Sequence, residues 1–401
     1  MKASVLVVRV ARFYQNTAVI VFNTLLLFGV LEFAAFVTYQ TVDVRDSGNQ
    51  LARDPRETVS YYKSQDWAEQ YWTEHRRSDV ERYHPYVVWR RSPFHGSTIE
   101  IDSRGFRVTP GARCAAGSYT VFAFGGSTMW GTGSPQWGTI PAYLQSGLAT
   151  TMRRPVCVVN LGESGWVSSQ EVVLLISLME NGYRPDLELF YDGVNDIYAA
   201  YQTGEAVSHM NLTAVEQRFN KSTQTSLLGQ WIRSRYLFRV AGHLATSMRR
   251  ESEADGNLDT YQTRGLEAPA VSAAVARAYL ANYTIVEALS CSYGFNSVFF
   301  WQPSAGAGSK LFTAEEKVIV RRIAPAHATL SESVTMAVED AASHGRYPNL
   351  HSLVGVFDAV PSSVWIDGAH VTPAGNRMIA DRILSIIADP GTLSAGKCRV
   401  H

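Results

Sequence analysis

From residue 119 onward, short apolar runs alternate with longer segments whose apolar residues recur at helical spacing. The runs fall at 119–124, 155–161, 187–192, 297–302 and 353–357, and each is short enough to be a buried strand. Between them the spacing predicts helices over 139–152, 168–181, 313–322 and 372–387. Pro141 suits a first helical turn, and Ser168 or Ser169 suits an N-cap. Strand and helix in turn predict a parallel sheet covered on both faces, which binds its ligands at the carboxyl ends of the strands.

The longest apolar stretch lies elsewhere, at 17–38. As a helix rising ~1.5 Å per residue it matches a ~30 Å hydrocarbon core, so an uncleaved anchor is expected at 17–39, after a short tail at 1–16. A cleaved signal peptide is the rival reading. The stretch exceeds the usual apolar length of such peptides, and Ala34-Ala35-Phe36 is a poor cleavage site. Lys2, Arg9 and Arg12 before the span are nearly matched by Arg45, Arg53 and Arg56 after it, so charge counting gives orientation little weight; the short basic tail favours an N-terminus inside. Asn23 and Glu32 are costly in lipid, and Glu32 either contacts a partner helix or reaches the interface.

Residues 40–112 read as a linker and an appended hairpin region. Ser47-Gly48-Asn49 has linker composition, 61–83 is a charged helical stretch, and the alternation around Ser103-Arg104-Gly105 predicts a hairpin turn. A catalytic domain is expected at 113–392, interrupted by an insertion at 197–285 and followed by a tail at 393–401. Within the insertion, 227–239 is basic and amphipathic, which suits a membrane surface, a lid, or core packing with solvated arginines. The sequons at Asn211, Asn220 and Asn282 matter only in a eukaryotic secretory pathway.

Bulk properties narrow the function. The 36 basic and 36 acidic residues balance, with no basic block to follow a phosphate backbone, so nucleic acid is not an expected partner. Four cysteines, Cys114, Cys157, Cys291 and Cys398, lack the spacing of a zinc site, and no metal or other cofactor is expected. Cys157 reads as a small buried hydrophobe, and Cys114 and Cys398 as a pair that could form in an oxidising compartment.

Four strand ends carry polar motifs in order: Phe124-Gly125-Gly126-Ser127-Thr128, Asn160-Leu161-Gly162, Asp192-Gly193-Val194-Asn195-Asp196, and the downstream Asp367-Gly368-Ala369-His370. A serine hydroxyl is a poor nucleophile at neutral pH and needs a base within hydrogen-bond reach, itself held by an acceptor. His370 is the candidate base for Ser127 and Asp367 the candidate acceptor. The bland alternatives are a surface histidine and an aspartate that only caps the following helix.

Together these blocks resemble the SGNH (GDSL-type) hydrolase family over roughly residues 115–390, with Gly126 in place of the usual Asp. The resemblance implies a flavodoxin-like α/β/α sandwich with a central parallel sheet. It also implies an oxyanion site made of the backbone N–H groups of Ser127 and Gly162 and the side-chain amide of Asn195. Gly162 has a plainer account as turn chemistry, and Asp196 is expected to brace its loop. Trp130, Trp166, Trp301 and Trp365 lie near strand ends, where they either rim the site for sugar rings or acyl chains or plug the core. The implied activity is a membrane-anchored serine esterase removing acyl groups, acetyl foremost, from an envelope carbohydrate or lipid. Anchored members of the family hold the catalytic domain outside the cytoplasm. An O-acyltransferase using the same triad is the runner-up, and a non-catalytic scaffold the third reading.

Overall fold

The computed structural model describes residues 2–49, 54–222, 235–238, 240 and 260–389. It divides into two compact units, residues 1–52 with 214–258, and residues 53–213 with 259–401.

In the first unit, α1 (Lys2–Asn49) runs without a break, so the expected tail and the start of the expected linker continue the apolar helix. Its segment Ala11–Gln40 contains an 18-residue stretch of mean hydropathy 2.2 and is long and apolar enough to cross a membrane. Thr24 and Thr38 donate their hydroxyls to carbonyls four residues back, which removes two polar groups from the apolar surface. The Glu32 carboxylate accepts the backbone N–H groups of Tyr236 (2.7 Å) and Leu237 (3.2 Å), and Tyr236 packs edge-on against Phe36. Glu32 therefore meets the backbone of the insertion. Most of the amphipathic segment at 227–239, like the tail at 393–401, lies outside the described residues.

The second unit is built on five parallel strands: β1 (Tyr119–Gly125), β2 (Val156–Asn160), β3 (Leu187–Asp192), β4 (Asn296–Trp301) and β5 (Leu350–Ser352). Their spatial order is β2-β1-β3-β4-β5, the flavodoxin-like order. Alternation along each strand feeds two cores. Phe122 and Phe124 face one side, where Phe124, Phe190 and Phe299 stack at 4.7 Å across β1, β3 and β4. Val121 and Ala123 face the other, with Leu187, Leu189 and Phe300. Helices α5 (Ser168–Glu180), α8 (Ala268–Tyr293) and α10 (Pro325–Ser343) cover the phenylalanine face, while α4 (Ile140–Thr151) and α11 (Pro373–Ile387) cover the other. Both faces are thus buried, giving the expected three-layer α/β/α sandwich.

Several boundaries differ from expectation. The apolar run at 353–357 is not a strand: Val354–Phe357 forms one 3-10 turn, and the edge strand lies just before it at 350–352. Buried positions 353, 354 and 357 follow the spacing of a turn rather than strict alternation. Parts of the expected insertion are core elements, since α6 (Val194–Thr203) and α8 both pack on the sheet unit, α8 through Val271, Val275, Tyr279, Tyr283 and Val286. The region read as a linker and appendage also belongs to this body from residue 53 on. It contains two 3-10 turns (Pro55–Thr58 and Ser60–Ser64), α2 (Ala68–Ser78) and two small hairpins, and its Tyr62, Tyr71, Trp72, Ile99 and Ile101 share a core with Trp130 and Ile366. The turn at Gly105 forms as predicted, with Gly105 at φ 88°.

Cys114 is bonded to Cys157, not to Cys398, and so Cys157 is not a free buried thiol. Arg113 donates its N–H to the carbonyl of Val156, which brings the segment before β1 beside the start of β2. Cys291 is also disulfide-bonded, and Cys398 lies outside the described residues.

Candidate active site

The sheet's order reverses between β1 and its neighbours, and the chain leaves β1 through Gly126 into a single helical turn, α3 (Ser127–Trp130). Ser127 opens that turn, so its N–H has no intrahelical partner and its hydroxyl stands at the carboxyl edge of the sheet. Gly126 has a steric reason: a Cβ there would collide with the Asn195 side-chain nitrogen.

His370 reaches Ser127 from a loop 243 residues downstream, with Nε2 2.7 Å from Oγ. Its Nδ1 lies 2.7 Å from Asp367 Oδ2. The other Asp367 oxygen accepts the backbone N–H groups of Ala369 (2.8 Å) and His370 (2.7 Å), which folds the loop around its own carboxylate. The three residues therefore form one continuous chain of contacts. Burial alone would raise the Asp367 pKa, but the adjacent His370 and Arg56 and the hydrogen bonds from His370 hold it below the ordinary carboxylate range.

Arg56 was not singled out in the sequence as a site residue. Its Nη1 lies 3.5 Å from Asp367 Oδ2, and Asp54 grips the rest of the guanidinium at 2.9 Å and 2.6 Å. Burial would lower the Arg56 pKa, but the two carboxylates raise it above its ordinary value. Arg107 was also missed. Nearly fully buried, it donates to the carbonyls of Trp130 (3.1 Å), Gly131 (2.8 Å) and Ser134 (2.7 Å), just where α3 ends.

On the expected oxyanion side, Asn195 lies at the first turn of α6 with its Nδ2 donating to the carbonyl of Trp166 at 2.7 Å. A carboxamide carries a second N–H, so this bond fixes the side chain and leaves one donor. Asp196 braces the loop, accepting the N–H (3.2 Å) and hydroxyl (2.6 Å) of Ser168. Gly162 is placed differently from expectation. Its N–H donates to Asn160 Oδ1 at 3.0 Å, and the residue is pressed against the backbone of Trp130, where a Cβ would clash. Gly165, three residues later at φ 74°, lines the cavity instead. The run Gly162-Glu163-Ser164-Gly165 held both glycines, and the sequence does not say which of them reaches the cavity.

The four tryptophans are core residues and make no wall of the cavity. Trp130, Trp166, Trp301 and Trp365 are each at most 2% exposed. Trp130 is packed by the guanidinium groups of Arg91 (4.2 Å) and Arg107 (4.4 Å), and Trp166 donates to the carbonyl of Trp89. Trp301 donates to Thr335, and Trp365 packs edge-on against Phe357. Only Trp301 lies in a strand, and Trp365 follows the edge strand by thirteen residues.

A cavity of about 700 Å³ contains Ser127, Asn195, Asp367 and His370 and extends along α10 past Ile323 and Thr335. Among the described residues no cluster of His, Cys, Asp and Glu has the geometry to hold a metal ion. Beneath the Asn195 loop lies a buried acidic group. Burial and mutual repulsion raise Glu171 well above the ordinary range and Asp192 to about 8; Asp196, through burial, rises to about 6.

No family model matches the chain, and no curated protein matches it in sequence. Solved structures do match. A lipase/acylhydrolase from Enterococcus faecalis is 15% identical, covers 67% of this chain and 94% of its own, and has a TM-score of 0.36. An acetyl-xylooligosaccharide esterase mutant from Geobacillus Stearmophilus is 14% identical, with 71% and 98% covered and a TM-score of 0.35. A member of the lipolytic protein G-D-S-L family from Veillonella parvula is 11% identical, with 67% and 98% covered and a TM-score of 0.37.

Proposed function

We propose that this chain is a membrane-anchored serine esterase that removes acyl groups, acetyl foremost, from an envelope carbohydrate or lipid. The continuous contact from Asp367 through His370 to Ser127, 2.7 Å at each step, carries the reading. Ser127 Oγ attacks the ester carbonyl while His370 Nε2 takes its proton, and Asp367 holds the imidazole with its proton on Nδ1. The tetrahedral oxyanion meets the Ser127 N–H and the remaining Asn195 amide N–H. Each such donor is worth roughly 3 to 4 kcal/mol. Collapse expels the alcohol with the proton from His370, and water then enters by the reverse path to release the acid. The apolar helix supplies the anchor, and the Cys114–Cys157 bond fits a body folded in an oxidising compartment outside the cytoplasm.

The test is hydrolysis of p-nitrophenyl acetate and longer-chain esters by the full chain in detergent, beside Ser127→Ala. Turnover in the parent that falls at least about a thousand-fold in the variant is expected. A folded parent that hydrolyses no ester removes the reading, and turnover that appears only with a sugar acceptor would replace it with acyl transfer.

A further inference from the structure

Gln302 directly follows β4, and its backbone N–H donates to the carbonyl of Asp192 at 2.8 Å, so the sheet fixes where its side chain starts. It lines the catalytic cavity together with Ser127 and Thr128, yet it is only 5% exposed. The Thr128 hydroxyl donates to its carboxamide oxygen at 3.3 Å, next in sequence to the nucleophile. Its Nε2 is buried with no hydrogen-bond partner among the described residues. A buried amide without a partner is disfavoured in a folded chain, and such exceptions call for a reason. Here the wall of a cavity supplies one: an acceptor that arrives with the substrate. The terminal torsion of a glutamine is soft, so the amide can turn to meet it.

The same cavity indicates which acceptor. Glu332 and Glu339 on α10 line it, and two carboxylates repel a phosphate or carboxylate on the incoming molecule. Their oxygens, with the hydroxyls of Ser304 and Ser331, accept from or donate to sugar-like hydroxyls instead. Resting on the esterase reading, we propose that Gln302 is a substrate-recognition residue whose Nε2 donates to an oxygen of the alcohol part of the ester. That alcohol is a neutral polyhydroxylated one, not an anionic phospholipid headgroup.

The experiment compares kcat/KM of the full chain in detergent for a mono-O-acetylated glucose, p-nitrophenyl acetate and phosphatidylglycerol, with Gln302→Leu and Gln302→Glu as variants. The parent should prefer the sugar ester to the phospholipid. In both variants the ratio of sugar-ester to aryl-ester kcat/KM should fall about ten-fold, the effect of one lost hydrogen bond. The Leu variant should keep or gain thermal stability, because it removes a buried unpaired group. Equal losses on both substrates, or an unchanged ratio, would overturn the role of Gln302 while leaving the esterase reading in place. Preference for the phospholipid would overturn the neutral alcohol. Inactivity of the parent on every ester would remove the esterase reading, and this inference with it.

Discussion

The Asp367 carboxylate receives four donors from two sources: three from its own loop and one from Arg56, 311 residues earlier in the chain. The loop donors orient the histidine, whereas Arg56 sets the charge beside it. Arg56 contacts Asp367 and neither His370 nor Ser127, so in the proposed mechanism its role is to position. Arg56→Gln is expected to lower kcat about ten-fold with KM little changed, since it disturbs the orientation of His370 more than the cavity wall. Arg56→Lys should recover part of that loss by restoring the charge without the fork that Asp54 grips. Steady-state kinetics on p-nitrophenyl acetate decides, and an unchanged kcat in Arg56→Gln would reduce the contact to a surface ion pair. Ser127, Asp367 and His370 were legible because each sits in a short motif at a predicted strand or helix boundary. Arg56 was not, because it lies in a polar stretch with no motif, and its partner is set only by tertiary folding. The tryptophans failed for a related reason, since sequence gives nearness to a strand end and not the face on which a ring lands.

At the level of elements, the position of Ser127 rests on a helix of one turn, far too short to be stable alone. Its support comes from outside. Arg107 binds the carbonyls at its C-terminal end, Asn160 donates to those of Met129 and Trp130, and two guanidinium groups pack the Trp130 ring. Burial lowers the Arg107 pKa to about 10, so it remains charged at neutral pH. Arg107→Met would strand several buried carbonyls and should cost about 3 kcal/mol or more, read as a lower denaturation midpoint. A midpoint within error of the parent would mean that α3 is held by its packing alone. The disulfide between Cys114 and Cys157 closes a loop of 43 residues. Replacing both with Ser should lower stability by up to about 4 kcal/mol, and a loss under about 1 kcal/mol would show the joined segments already ordered in the unfolded chain. Four of the five strands were legible from apolar runs bounded by turns. The fifth was displaced because a short apolar run fits one helical turn as well as a strand. α8 was obscured by the polar stretch before it, although its buried residues recur at three- and four-residue steps.

The whole molecule carries equal numbers of acidic and basic residues, so its response to pH is set by where the acids are buried rather than by net charge. Two groups of carboxyls pull in opposite directions. Glu171, Asp192 and Asp196 are raised, Asp192 to about 8, and the folded chain therefore holds protons that the unfolded chain has released. Their contribution is fully present below the ordinary carboxylate range and is lost as pH rises toward about 8. Asp367 is lowered, and hydrogen bonds from Thr98, Gln70 and Ser97 take Glu74 to about 2 against the effect of its burial. Their contribution is present above the ordinary range and is lost as pH falls toward about 2. The two trends cross on the mildly acidic side, so Tm is expected to be greatest near about pH 5 and to decline by several degrees toward about pH 9. Asp192→Asn removes one of the protons at stake and should flatten the alkaline decline while leaving the acidic one unchanged. Calorimetry across that range settles it: a Tm that holds or rises between about pH 6 and about pH 9 would mean that the acids beneath the Asn195 loop ionise without strain.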